Sequence, residues 1–69
     1  MSSTVIKSFY HSSEWYSARA RVLARDRYEC QACRVSVRAK GSAHVDHVLS
    51  RRTRPDLSLS LENLRTLCV

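Results

Sequence analysis

Three cysteines and three histidines, with six carboxylates, hold most of the chemical capability of this chain. Cys30 and Cys33 are separated by two residues, a spacing at which a tight knuckle brings both sulfurs within about 2.3 Å of one tetrahedral ion. The same spacing serves thiol redox chemistry. A redox pair, however, lies between a strand and the start of a helix, whose dipole lowers the thiol pKa, whereas here a helical pattern precedes the pair. Structural zinc is therefore the favoured reading. Cys68 stands where the second knuckle of a four-ligand zinc site would begin, and the further Cys that such a knuckle uses would fall beyond Val69. His11 and His44 are substitute ligands by type, although neither sits at knuckle spacing. An odd number of cysteines, in a chain whose first ten residues lack the apolar run of a secretory signal, argues against a disulfide framework.

The second chemical feature is Asp46-His47. A carboxylate is a hard oxygen ligand for magnesium or manganese, and an adjacent imidazole can take a proton from water near neutral pH. Together they suit metal-assisted hydrolysis; taken alone, the dipeptide is more commonly a surface pair at the end of a strand. Arg51, Arg52 and Arg54 follow closely, ahead of Pro55. They lie just past the pair and are well placed for flanking phosphates, a solvated basic loop being the plainer alternative. The whole chain leans the same way: 69 residues carry a formal charge of +6, and ten of the twelve basic groups are Arg. Guanidinium binds phosphate oxygens bidentately, so a polyanion is the favoured partner, nucleic acid first, against the alternative of a solvated basic surface.

The elements that must position these residues can be read from periodicity. Residues 1–11 show mixed polarity and read as an irregular leader, with a short extended piece at residues 4–6. Ser12 or Ser13 can cap a helix, Glu14 suits its first turn, and Trp15, Ala18 and Val22 form a buried stripe, which predicts a helix over 14–27 with Arg21 and Arg25 on a basic outer face. Residues 34–40 alternate around Val35 and Val37 as a half-buried strand does, Gly41 marks a turn, and residues 43–48 resume extended character. A hairpin leading into His44-Val45-Asp46-His47 is the most economical drawing. Pro55 stops any regular continuation of the basic loop, and the leucines from Leu57 to Leu67 must pack against something. A chain this short supports one domain, and below roughly 70–80 residues a core needs a staple such as a metal, a disulfide or a partner. No stretch approaches the roughly 20 apolar residues of a membrane span, so a cytoplasmic protein is expected.

Read in order, the Phe9-Tyr10 pair with Glu14-Trp15, the run from Arg25 to Cys30 with Cys33, His44-Val45-Asp46-His47-Val48, Arg54-Pro55-Asp56-Leu57, and Leu61-Glu62-Asn63-Leu64 with Leu67-Cys68 resemble the His-Asn-His (HNH) endonuclease family. The likeness is greatest to its small zinc-knuckle branch, common in phages and prophages. The resemblance implies an α+β fold: an HNH nuclease domain over residues 12–69 with a ββα-metal (His-Me finger) fold, an N-terminal helix and a zinc knuckle, its final helix missing. It implies His47 as general base, Asp46 as a ligand of a catalytic magnesium or manganese ion, and Asn63 as the residue bracing the loop that aims the histidine. Cys30, Cys33 and Cys68 match ligands of a separate structural zinc. The family's final helix, with its second knuckle, last histidine and one catalytic-metal ligand, would follow Cys68, so the chain reads as an HNH nuclease cut off after its second strand.

Three functions follow as expectations. The first is a metal-dependent DNA endonuclease in a bacterial or phage-infected cell. The second is a noncatalytic zinc-containing module that binds nucleic acid. The third is a nuclease completed by a partner chain or by a missing C-terminal segment that supplies the remaining ligands.

Overall fold

The computed structural model describes residues 9–69; the extended piece expected at residues 4–6 lies outside them. One long helix packs against a two-stranded antiparallel sheet, an α+β arrangement. Helix α1 spans Ser13–Arg25. Ser12 caps it from extended backbone, its Oγ accepting the Trp15 N–H at 3.1 Å, and Glu14 and Arg25 complement the helix dipole at the two ends. The buried stripe is Trp15, Ala18, Val22 and Leu23. The helix ends two residues earlier than its periodicity implied, because Arg27 and Tyr28 turn into the left-handed region at φ 57° and 54°. The Tyr28 N–H then bonds back to the Leu23 carbonyl at 2.9 Å, closing the last turn.

Residues 28–37 fold back on themselves. Cys30 N–H donates to Val35 O, Arg34 N–H to Cys30 O and Val37 N–H to Tyr28 O, with Arg34 at φ 68° in the tight bend between the two cysteines and Val35. The strand expected over 34–40 is therefore replaced by a single bridge, Glu29 with Ser36. The physical reason is competition for backbone groups: closing the knuckle uses the donors and acceptors that a hairpin with residues 43–48 would need. Val37 is 2% exposed but Val35 is 50% exposed, so the alternation marks one anchor and not a strand face. The turn at Gly41 does form, with φ 81° and the Ser42 N–H on Ala39 O.

Strand β1, Ala43–His47, pairs instead with β2, Leu64–Cys68, in the register Ala43 with Cys68, Val45 with Thr66 and His47 with Leu64. Pleat alternation sends Val45, Leu64 and Thr66 inward against α1, completing a core around Trp15, Val22 and Leu23. Between the strands, the chain makes two single 3-10 turns, Pro55–Leu57 and Leu61–Asn63. Phe9 and Tyr10, within the stretch read as an irregular leader, are helical and pack on this core. Among the described residues no helix is long and apolar enough to cross a membrane.

Candidate active site and cysteine cluster

His47 is the last residue of β1, on the inward face, where its imidazole stacks on Trp15 with ring centres 5.5 Å apart and planes 19° from parallel. Phe9 and Tyr10 flank it at 6.1 and 6.4 Å. Its Nε2 lies 3.0 Å from the carbonyl oxygen of Ser58. A carbonyl can only accept, so Nε2 carries the proton and, in the neutral ring, Nδ1 keeps the lone pair. The backbone thus selects the tautomer.

Asn63 holds the loop that delivers Ser58. It is buried at the end of the second 3-10 turn, where its amide donates to Leu49 O at 3.0 Å and Leu57 O at 3.3 Å while Oδ1 accepts the Leu49 N–H at 2.8 Å. The Val48 N–H adds a bond to the Asn63 carbonyl. One side chain thereby ties the residue two past His47 to the residue just before Ser58.

Asp46 points to the opposite face of β1, by the same alternation that turns His47 inward. Its carboxylate is half-exposed and meets only the tip of its cross-strand neighbour Arg65, at 4.0 Å. Such a loosely held oxygen donor is free to take a hard cation, and magnesium commonly uses one or two carboxylates with water and substrate phosphates. Among the described residues, no second group of carboxylates and imidazoles gathers around it.

The cysteines form the one cluster of three metal-ligating side chains among the described residues. The Cys30, Cys33 and Cys68 sulfurs all lie within 4.8 Å of one another, and Cys33 Sγ to Cys68 Sγ is 3.6 Å. No pair is bonded as a disulfide. A tetrahedron of bonds of about 2.3 Å has edges of about 3.8 Å, so the spacing suits zinc. The Cys33 N–H donates to Cys30 Sγ at 3.4 Å and, as the largest influence, draws the Cys30 thiol down to about 6. Cys68, hydrogen-bonded to the Cys33 and Cys30 side chains, is pushed up to about 11. Neither His11 nor His44 joins the cluster, so the substitute ligands considered from the sequence are not brought to it.

A family model described as HNH endonuclease matches residues 30–69, more than half of the chain, and spans the cysteines, Asp46-His47 and Asn63. The chain belongs to the HNH endonuclease family. No curated protein and no solved structure matches it.

In this HNH chain the three loop arginines part company. Arg54 is engaged by Asp56 through two bonds of 3.0 and 2.9 Å, which hold the Asp56 carboxyl below its ordinary range. Arg52 is exposed and makes no ion pair among the described residues. Arg51 lies over Phe9, its guanidinium carbon 3.7 Å from the ring centre. Arg25, expected on a basic outer face, instead reaches across to the segment that leads into β2: it donates to Leu61 O and Leu64 O, each at 2.7 Å, and pairs with Asp26. Arg21 lines a shallow groove with Glu14, Leu59 and Leu61.

Sequence reasoning missed two parts of the His47 environment. The aromatic set of Phe9, Tyr10 and Trp15 was visible as part of the family pattern, but nothing in residue spacing tied it to the histidine. The Ser58 carbonyl is backbone and leaves no signature in residue type.

Proposed function

We propose that this chain hydrolyses phosphodiester bonds of DNA in a metal-dependent reaction with His47 as the general base. The observation that carries the reading is the hydrogen bond from His47 Nε2 to Ser58 O, which leaves Nδ1 as the basic nitrogen of an imidazole fixed by Trp15. In this reading Nδ1 takes a proton from a water molecule as the water oxygen attacks phosphorus. The bond from phosphorus to one ester oxygen breaks, and that oxygen leaves as an alcohol after gaining a proton. Asp46 would hold the divalent ion, magnesium or manganese, which when bound neutralises charge on the phosphoryl oxygens and the leaving oxygen. Because Asp46 and His47 lie on opposite faces at the end of β1, a substrate strand crossing the unpaired edge of β1 would meet both. Asn63 is a positioning residue, acting through the loop that carries Ser58. Zinc at Cys30, Cys33 and Cys68 serves structure, and Arg52 with the remaining basic surface supplies salt-sensitive attraction to flanking phosphates.

The test is nicking of supercoiled plasmid by the purified chain with magnesium or manganese, and without either, with His47→Ala alongside. Metal-dependent nicking that falls about 10²–10⁴-fold in His47→Ala is expected. Salt-sensitive DNA binding by a folded chain that nicks nothing, and binds equally with His47→Ala, would replace the nuclease by a noncatalytic binding module.

A further inference from the structure

The arginines near His47 differ in how they are held, and the difference separates those with free donors from those without. Arg54 gives its donors to Asp56, and Arg25 gives its donors to Asp26 and two carbonyls. Arg51 lies over two rings, its guanidinium carbon 3.7 Å from the centre of Phe9 and 5.3 Å from that of Tyr10. A guanidinium placed over an aromatic ring still has N–H donors to give an acceptor. Its Nε is buried with no hydrogen-bond partner among the described residues, so no group of the fold competes for that donor. Phe9 also flanks the imidazole of His47 at 6.1 Å. The guanidinium carbon is therefore no farther from the imidazole centre than those two spacings, 3.7 and 6.1 Å, laid end to end. A phosphodiester held by the guanidinium N–H groups is, on that scale, within reach of a water on the imidazole.

We propose that Arg51 grips the phosphodiester that is attacked, not a flanking one, and that Phe9 is the positioning residue that presents it. This rests on the nuclease reading of His47. A packing role alone would be filled by any long stem over Phe9; the several donors of a guanidinium are what a phosphodiester needs. Holding the guanidinium before the substrate arrives also removes the rotamer entropy that an exposed arginine such as Arg52 would lose on binding.

The probe is a thymidine dinucleotide, which has a single phosphodiester, added to the zinc-loaded chain in buffer without magnesium or manganese. NMR follows the Arg51 Nε–H and the His47 imidazole signals. Both are expected to shift together and saturate at one dissociation constant. Arg51→Lys should bind at least about 10-fold more weakly, through loss of the charged fork. Phe9→Leu should bind about 3–10-fold more weakly, whereas Phe9→Tyr, which restores the aromatic face, should return to within about twofold of the original. Overturning results are the absence of a saturable shift, a His47 signal that stays still while Arg51 moves, Arg51→Lys binding undiminished, or equal binding by Phe9→Leu and Phe9→Tyr. If Trp15 fluorescence shows Phe9→Leu unfolded, Arg51→Lys, whose stem still covers Phe9, decides. Binding as expected without His47-dependent nicking would keep the phosphate site and remove the nuclease. Nicking undiminished in Arg51→Lys would do the reverse.

Discussion

Arg27 and Tyr28 hold two consecutive left-handed conformations without a glycine between them, and each costs about 1 kcal/mol relative to a residue lacking Cβ. The strain sits where α1 must stop so that Cys30 can turn toward β2. Arg27 is exposed, so replacing it removes little packing. Arg27→Gly is accordingly expected to stabilise the chain by about 0.5–1 kcal/mol, raising the thermal midpoint by several degrees, with its gain trimmed by the extra freedom of glycine in the unfolded chain. Unfolding curves of the two proteins check this, and a lower midpoint for the glycine variant would mean that the Arg27 side chain contributes more than its backbone costs. At this scale the sequence was legible where residue type is scarce and chemistry demanding: Cys30, Cys33 and Cys68 do meet, and Asn63 is buried with its amide bonded to the Leu49 and Leu57 backbone. It was illegible where the partner is a carbonyl, as for His47 with Ser58 and Arg25 with Leu61 and Leu64. Every residue has a carbonyl, so no pattern of side chains announces which one will be used.

Between elements, the join of α1 to β2 depends on one ion pair with a largely covered carboxylate. The Asp26 side chain is 7% exposed and that of Arg25 43%; the pair shares two bonds while Asp26 Oδ2 also accepts the Thr66 N–H at 3.0 Å. The donated bonds of Arg25 hold the Asp26 carboxyl below its ordinary value of 3.8, Thr66 adds to the effect, and burial opposes it. A carboxyl whose folded pKa is depressed contributes stability that is fully present above its unfolded value and is lost as pH falls through the folded one. Asp26→Asn should therefore be less stable than the original by about 2 kcal/mol at pH 7, and the gap should narrow once pH falls below about 4, toward the depressed folded pKa. Urea unfolding at pH 7 and pH 3 measures both differences; a gap that stays constant between the two pH values would show that the carboxylate charge is not what joins helix to strand. The same scale explains the misplaced strand. Alternation around Val35 and Val37 fits a strand and a knuckle alike, and only the choice of backbone partner separates them. Periodicity reports which side chains are apolar; it does not report where the N–H groups go.

For the whole molecule, the question is what holds so small a core. The buried apolar set is a single layer, Trp15, Ala18, Val22 and Leu23 of α1 against Val45 and Leu64 of the sheet, with a charge of +6 spread over 69 residues working against compaction. The cysteines bring together two stretches of chain, Cys30 and Cys33 in the turn after α1 and Cys68 at the end of β2, with the Gln31 N–H to Thr66 O bond of 2.9 Å beside them. An ion there would tie these two stretches, and metal binding by a site absent from the unfolded chain is folding free energy. The purified chain is thus expected to hold one zinc, and to lose cooperative thermal unfolding when the metal is stripped by chelator. Cys30→Ser, which removes the buried ligand, should mimic stripping more closely than Cys68→Ser, whose sulfur is exposed. Metal content with differential scanning calorimetry reads both. A stripped chain that still unfolds cooperatively at its original midpoint would place the stability in the apolar layer and the Arg25–Asp26 clamp, leaving the three thiols without a structural task.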